Sequence, residues 1–183
     1  MKKLIILLSL SLFIIGCNSK GKDVILETNY GNIEIELFDE AAPLHCANFR
    51  KLVSEGFYDS LQFHRVIPGF VIQGGDPNTR TADRRTYGMG GPGYTITAEI
   101  GKPHLRGSVG AAREGDAINP QRKSNGSQFY ICTQAIPHLD GAYAVFGQVV
   151  KGMDVVDKIS ELPRDARDVP LQPVYILKAY QEK

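Results

Sequence analysis

The run FHRVIPGFVIQGGD, Phe63 to Asp76, decides the reading of this chain, because it sets one arginine and one glutamine among apolar residues. Two strand-like pieces, Phe63 to Ile67 and Phe70 to Gln73, flank Pro68-Gly69, a dipeptide that reads as a tight turn. Alternation with period two puts Phe63 and Arg65 on one face of the first piece. On the second, Phe70 and Ile72 share one face and Val71 and Gln73 the other. A cation and an amide thus stand over apolar ground.

Outward from this run the pattern is mostly β. Ile33 to Leu37 alternates strictly and pairs naturally with Val24 to Leu26 across the Asn29 to Asn32 turn, an opening hairpin. From Ala42 the period becomes helical: Pro43 suits a first turn, Phe49, Leu52, Val53 and Phe57 recur at helical spacing, and Gly56 ends the helix. Further strands are expected at Tyr94 to Glu99, Gly107 to Ala112, Ser127 to Cys132, Tyr143 to Val150 and Val174 to Tyr180, with a second helix over Met153 to Leu162. Two helices and about eight short strands argue for an antiparallel sandwich or barrel, between which pattern alone does not choose.

The N-terminus stands apart. Lys2-Lys3 followed by apolar Leu4 to Ile15 has the charged and hydrophobic regions of a secretory signal, and the apolar run is short for a bilayer span. It closes on Ile14-Ile15-Gly16-Cys17, which resembles the bacterial lipobox. That resemblance implies a signal peptide over 1–16, a Cys17 carrying diacylglyceryl and acyl chains, a short tether over 17–22 and a single domain over 23–183. The tether reaches only about 20 Å at ~3.3 to 3.6 Å per residue. The expected location is extracytoplasmic, anchored to a bacterial membrane by lipid; Asn18 after the cysteine points to the outer membrane where there is one.

Composition narrows the function classes. The formal charge is +1, with no basic stripe interleaved with aromatics, so nucleic-acid binding is unsupported. Histidines 45, 64, 104 and 138 show no metal-ligand spacing, so no metal or other cofactor is implied. His64 is expected to point away from Arg65 in a hydrogen-bonded structural role. Gly88-Met89-Gly90-Gly91-Pro92-Gly93 spells the dinucleotide fingerprint, but a polar segment precedes it and a strand follows, so it reads as a glycine loop. Ser127 lacks a nucleophile-elbow setting, and Asn125-Gly126-Ser127 reads as a turn. Cys46 and Cys132 are expected as small buried residues; an oxidising setting would permit a bridge, which geometry decides. The alternating run Arg164 to Asp168 reads as a solvated loop, and the neutral surface suits a monomer.

Phe63 to Asp76, Ser127 to Cys132, Leu139 to Gly141 and Val145 to Gly147 together strongly resemble the cyclophilin family of peptidyl-prolyl isomerases, over Asp23 to the C-terminus. The resemblance implies a closed eight-stranded antiparallel β-barrel with a helix over each open end, and an enzyme that turns Xaa-Pro bonds in proline-containing polypeptides without a cofactor. It makes Arg65, Gln73 and Phe70 the catalytic set. Phe63, Val71, Gly88, Ala112, Arg113, Gln128, Tyr130, His138, Leu139 and Tyr143 would bind substrate, with Ala112-Arg113 holding the residue before the proline. His138 and Tyr143 stand where many animal members have tryptophan and histidine, and Val71 and Arg113 where they have methionine and asparagine. The polar insertion Glu114 to Ser124 would lengthen a loop beside the groove. The competing class is a non-catalytic module or holdase that docks proline segments; Arg65 with Gln73 favours the enzyme.

Overall fold

A computed structural model describes residues 23–181; the expected signal peptide, Cys17 and tether lie outside them. The strands are β1 (Val24–Thr28), β2 (Gly31–Leu37), β3 (Arg65–Val66), β4 (Val71–Gly74), β5 (Thr95–Ile96), β6 (Ser108–Ala111), β7 (Ser124–Asn125), β8 (Phe129–Cys132), β9 (Val145–Lys151) and β10 (Ile176–Gln181). The helices are α1 (Pro43–Ser54) and α2 (Met153–Ser160). Eight strands form one antiparallel sheet in the order β10-β1-β2-β9-β6-β8-β4-β3.

The sheet is a curled half-barrel, not the closed barrel expected. Its edges β3 and β10 share no ladder: β3 is only two residues long, and the chain leading to it runs as turns through Ser60, where φ is 66°. What joins the edges is a single bridge, Gln62 to Tyr175, with backbone bonds such as Phe63 N–H to Val174 O at 2.9 Å. The strand expected over Tyr94 to Glu99 shrinks to β5, which pairs with β7 outside the main sheet.

The inward row Val66, Ile72, Ile131 and Val109 follows from the register and is fully buried. It joins an aromatic cluster in which Phe129 meets Phe49, Tyr58 and Phe63 edge-on at 5.4 to 5.9 Å. Helix α1 packs on β9 and β10, α2 on β2 and β4. Ala42, before α1, offers no side-chain cap. Glu99, far along the chain, does so instead, accepting the N–H groups of Leu44 and His45 at 3.0 Å each and the His45 ring at 2.6 Å. An acid there also suits the positive end of the helix.

Cys46 and Cys132 are free and buried, so no bridge forms. Burial pushes both thiols up to about 12.

Candidate active site

Register builds the site. Arg65 lies opposite Gln73, Gln73 opposite Tyr130, and Tyr130 opposite Gly110, a row across β3, β4, β8 and β6 on the outer face of the sheet. One position along, Val71 faces Cys132. Val71, Tyr130, Cys132 and Ile136 form a second apolar cluster, against which Phe70, Ala112, Leu139 and Tyr143 pack. A cavity of about 140 Å³ opens there, lined by Arg65, Phe70, Val71, Gln73, Ala112, Arg113, Tyr130, Leu139 and Tyr143. It is below the ~300 Å³ at which pockets for whole small molecules begin, and suits a single ring. A larger depression of about 530 Å³ near Asp23, Asp39 and Lys102 lies elsewhere, and its Asp23 and Asp39 are already bound to Arg50.

The polar side of the cavity is a relay. Arg65 Nη1 donates to Gln73 Oε1 at 3.4 Å, Gln73 Nε2 donates to Gln128 Oε1 at 3.0 Å, and Gln128 Nε2 donates to the carbonyls of Gly88 and Gly90 at 3.0 and 2.7 Å. Gln128 and Gly88 thus serve the site from its flank, bordering a neighbouring cavity of about 390 Å³ that the insertion also lines through Glu114, Asn119 and Lys123. Arg65 lies over the Phe70 ring at 6.0 Å, and its Nε is 3.9 Å from Asp168. His138 stacks on Phe70, centroids 5.9 Å apart, and so supports the pocket without lining it.

Three expectations change. Phe63 is 1 % exposed and belongs to the core, not the groove: its ring rests on Gly74, which has no side chain to exclude it. Phe70, in the turn before β4, shares the groove with Val71 instead of sharing a face with Ile72. His64 is buried with neither ring nitrogen bonded among the described residues; the Gln62 backbone is near but outside hydrogen-bond geometry. Burial depresses its pKa to about 4.

Several interactions around these residues were invisible to sequence reasoning. Tyr130 Oη is 2.9 Å from His104 Nε2, and His104 Nδ1 is 2.8 Å from Asp140 Oδ1, which also accepts the His104 N–H at 2.7 Å. These bonds, the N–H first, hold the Asp140 carboxyl below its usual range. Burial drives the Tyr130 phenol far up, so it stays protonated. The run Arg164 to Asp168 is a bracket: Asp165 accepts the N–H groups of Arg167 and Val169, and Asp168 reaches both Arg164 and Arg65. Arg113, whose side chain is 4 % exposed, lies 4.4 Å over the Tyr143 ring. It binds the carbonyls of Ala142 and Glu114 at 2.8 Å and the Asp116 carboxylate at 2.6 Å. It therefore clamps the start of the insertion to the 139–143 wall.

Residues 23–181 match the family model described as cyclophilin type peptidyl-prolyl cis-trans isomerase. A peptidyl-prolyl cis-trans isomerase of Synechococcus elongatus is 50% identical over 125 residues, 68% of this chain and 77% of that protein. Peptidyl-prolyl cis-trans isomerase B of Bacillus subtilis is 47% identical over 131 residues, 70% of this chain and 82% of that protein. A Cryptosporidium parvum cyclophilin structure superposes with a TM-score of 0.79 at 32% identity, covering 88% of this chain and 98% of that one. A structure of it in the presence of the dipeptide Ala-Pro gives 0.78 at 31% identity, covering 88% and 99%.

Proposed function

The chain belongs to the cyclophilin-type peptidyl-prolyl cis-trans isomerase family, and on that premise we propose that it turns Xaa-Pro bonds through Arg65, in proteins folding outside the cytoplasm. The observation that carries the assignment is the row Arg65, Gln73, Tyr130, which stands an oriented guanidinium over an apolar, ring-sized cavity.

Rotation of the peptide bond is opposed by ~18 to 20 kcal/mol, because the nitrogen lone pair is delocalised into the carbonyl. Before proline, cis and trans are close in energy, yet exchange takes tens of seconds or longer. No covalent bond need break. The enzyme needs only to bind the twisted amide better than either planar form. Phe70, Val71, Tyr130 and Leu139 hold the proline ring, and Ala112-Arg113 holds the residue before it, so one side stays fixed while the other turns. Arg65 then donates to the prolyl nitrogen, whose lone pair is free only in the twisted state. A charge-assisted bond of ~1.5 to 3 kcal/mol corresponds to one or two powers of ten in rate. Gln73, itself held by Gln128, fixes the direction of that donor before substrate arrives.

The same proposal includes anchoring through Cys17, a tether over 17–22 and a monomeric catalytic domain. The lipobox-like Ile14 to Cys17 supports the anchor, and the short tether would hold the groove near a lipid surface. The test is the cis-to-trans rate of Ala-Pro and Leu-Pro peptides with the full chain in detergent. Acceleration that collapses in Arg65→Ala, with the circular dichroism spectrum kept, supports the enzyme. Binding of the peptides without acceleration would replace it with the docking-module reading. Cys17→Ala should release the protein from membranes; continued membrane pelleting would remove the anchor from the proposal.

A further inference from the structure

Arg65 and Gln73 are shared between the proline cavity and a second cleft of about 320 Å³, whose other walls include His64, Tyr87, Gly88 and Arg167. Two guanidinium groups border this cleft and, among the described residues, no carboxylate lines it. Asp168, the acid paired with Arg65 at 3.9 Å, is shared with Arg164 at 3.2 Å. Arg167 spends N–H groups on the backbone carbonyls of Arg84 and Arg85, which fixes its position; the two acids whose fields reach it, Asp83 and Asp165, are themselves paired with Arg85 and Arg84.

His64 is the independent sign of a ligand. Its ring lines the cleft, is 3 % exposed as a residue and meets no hydrogen-bond partner among the described residues. A Cβ at Gly88, across the cleft, would come within 3.8 Å of its Nε2. A buried polar ring without a partner is costly, and it offers an N–H to whatever acceptor enters. Two guanidinium groups and one ring N–H together are a donor set for a carboxylate.

Resting on the isomerase reading, we propose that this cleft receives the carboxylate side chain of the residue following the proline, so that the protein favours Pro-Glu and Pro-Asp bonds over neutral and basic successors. On the isomerase reading the residue before the proline is held by Ala112 and Arg113, neither of which borders the cleft, and the proposal therefore runs the chain that leaves the proline over the cleft on the Arg65 side. The roles divide accordingly: Arg65 serves the rotating bond, while Arg167 and His64 read what comes next.

The test uses the full chain in detergent and capped peptides Ala-Ala-Pro-Xaa-Ala with Glu, Gln or Lys after the proline. Expected is kcat/KM in the order Glu, Gln, Lys, with Glu about three- to tenfold above Gln at low salt. The ratio should fall towards one near ~1 M salt, where screening acts over about 3 Å. Arg167→Gln should bring the Glu-to-Gln ratio close to one and Arg167→Lys should retain most of it; a ratio within one preparation is insensitive to general loss of folded protein. The proposal is overturned by a ratio near one in the unmodified protein, by a ratio that Arg167→Gln leaves alone, or by an equal preference when Glu precedes the proline. If no peptide is accelerated, the isomerase reading fails separately, and the Glu-to-Gln ratio of affinities, read by fluorescence anisotropy, still decides for or against the cleft.

Discussion

Gly110→Ala should damage the groove from beneath. A Cβ at Gly110 would sit 2.4 Å from Cζ, 2.5 Å from Oη and 2.6 Å from Cε2 of Tyr130, where ordinary contacts begin near 3.4 Å. The ring must therefore retreat by about 1 Å or tilt. It has no easy retreat: His104 stacks on it at 6.0 Å, Tyr143 meets it edge-on at 6.1 Å, and Oη is bonded to His104 at 2.9 Å. Overpacking costs about 1 to 3 kcal/mol, and leaving the buried His104 nitrogen unpaired costs ~1 to 3 kcal/mol more. Taking about 3 to 4 kcal/mol in all, Tm should fall by ~6 to 16 °C for a domain of this size. The shifted floor should also lower kcat/KM at least tenfold, a loss of about 1.4 kcal/mol at the transition state. Gly101→Ala, which meets nothing within 4 Å, is the control. Calorimetry and a peptide isomerisation assay read both effects. A Gly110→Ala protein that melts with the unmodified one and keeps its kcat/KM would refute the argument.

Arg113→Ala should raise KM several-fold more than it lowers kcat, because it frees the insertion from the 139–143 wall but leaves Arg65 in place; Michaelis curves separate the two. Glu99→Gln should destabilise α1 by about 1 kcal/mol at neutral pH, seen in urea unfolding. Burial would raise the Glu99 carboxyl, but the bonds from Leu44 N–H, the His45 ring and His45 N–H outweigh it and lower the pKa. Its contribution is therefore complete above the unfolded carboxyl value and lost as pH falls through the lower folded one, so the difference between the two proteins should close in acid. Lowering the pH from about 6.5 to 4 should cost stability through His64, which the unfolded chain protonates first; His64→Phe should flatten that slope in pH-dependent unfolding. Cys46 and Cys132 should resist thiol reagents in the native state and react after unfolding, as mass spectrometry would show.

The grouping of Arg65, Gln73 and Tyr130 comes from the family resemblance; alternation places Val71 with Gln73, and the pairing of β3, β4 and β8 supplies the register that sets the three in one row. Phe63 was misread because the chain stops being a strand before Arg65, so alternation does not carry back to it. The His104–Asp140 support of Tyr130 joins residues 36 apart through a loop, and Glu99 caps a helix 54 residues away. No local pattern encodes such pairs. Arg113 lines the cavity, but its buried clamp depends on Tyr143, Ala142 and Asp116 converging from separate turns. Failure to close the barrel likewise reflects the turns before β3, which carry no distinct periodicity.

The pairing of the first and last described strands bears on how such a chain is produced. Val24 lies opposite Gln181 and Leu26 opposite Ala179, so β1 emerges long before β10, one of its two neighbours. Until then it presents an open edge. A chain delivered from its N-terminus thus holds every groove residue, from Arg65 to Tyr143, before the sheet that carries them is complete. Final zipping of β10 sets the moment at which the active groove gains its full frame.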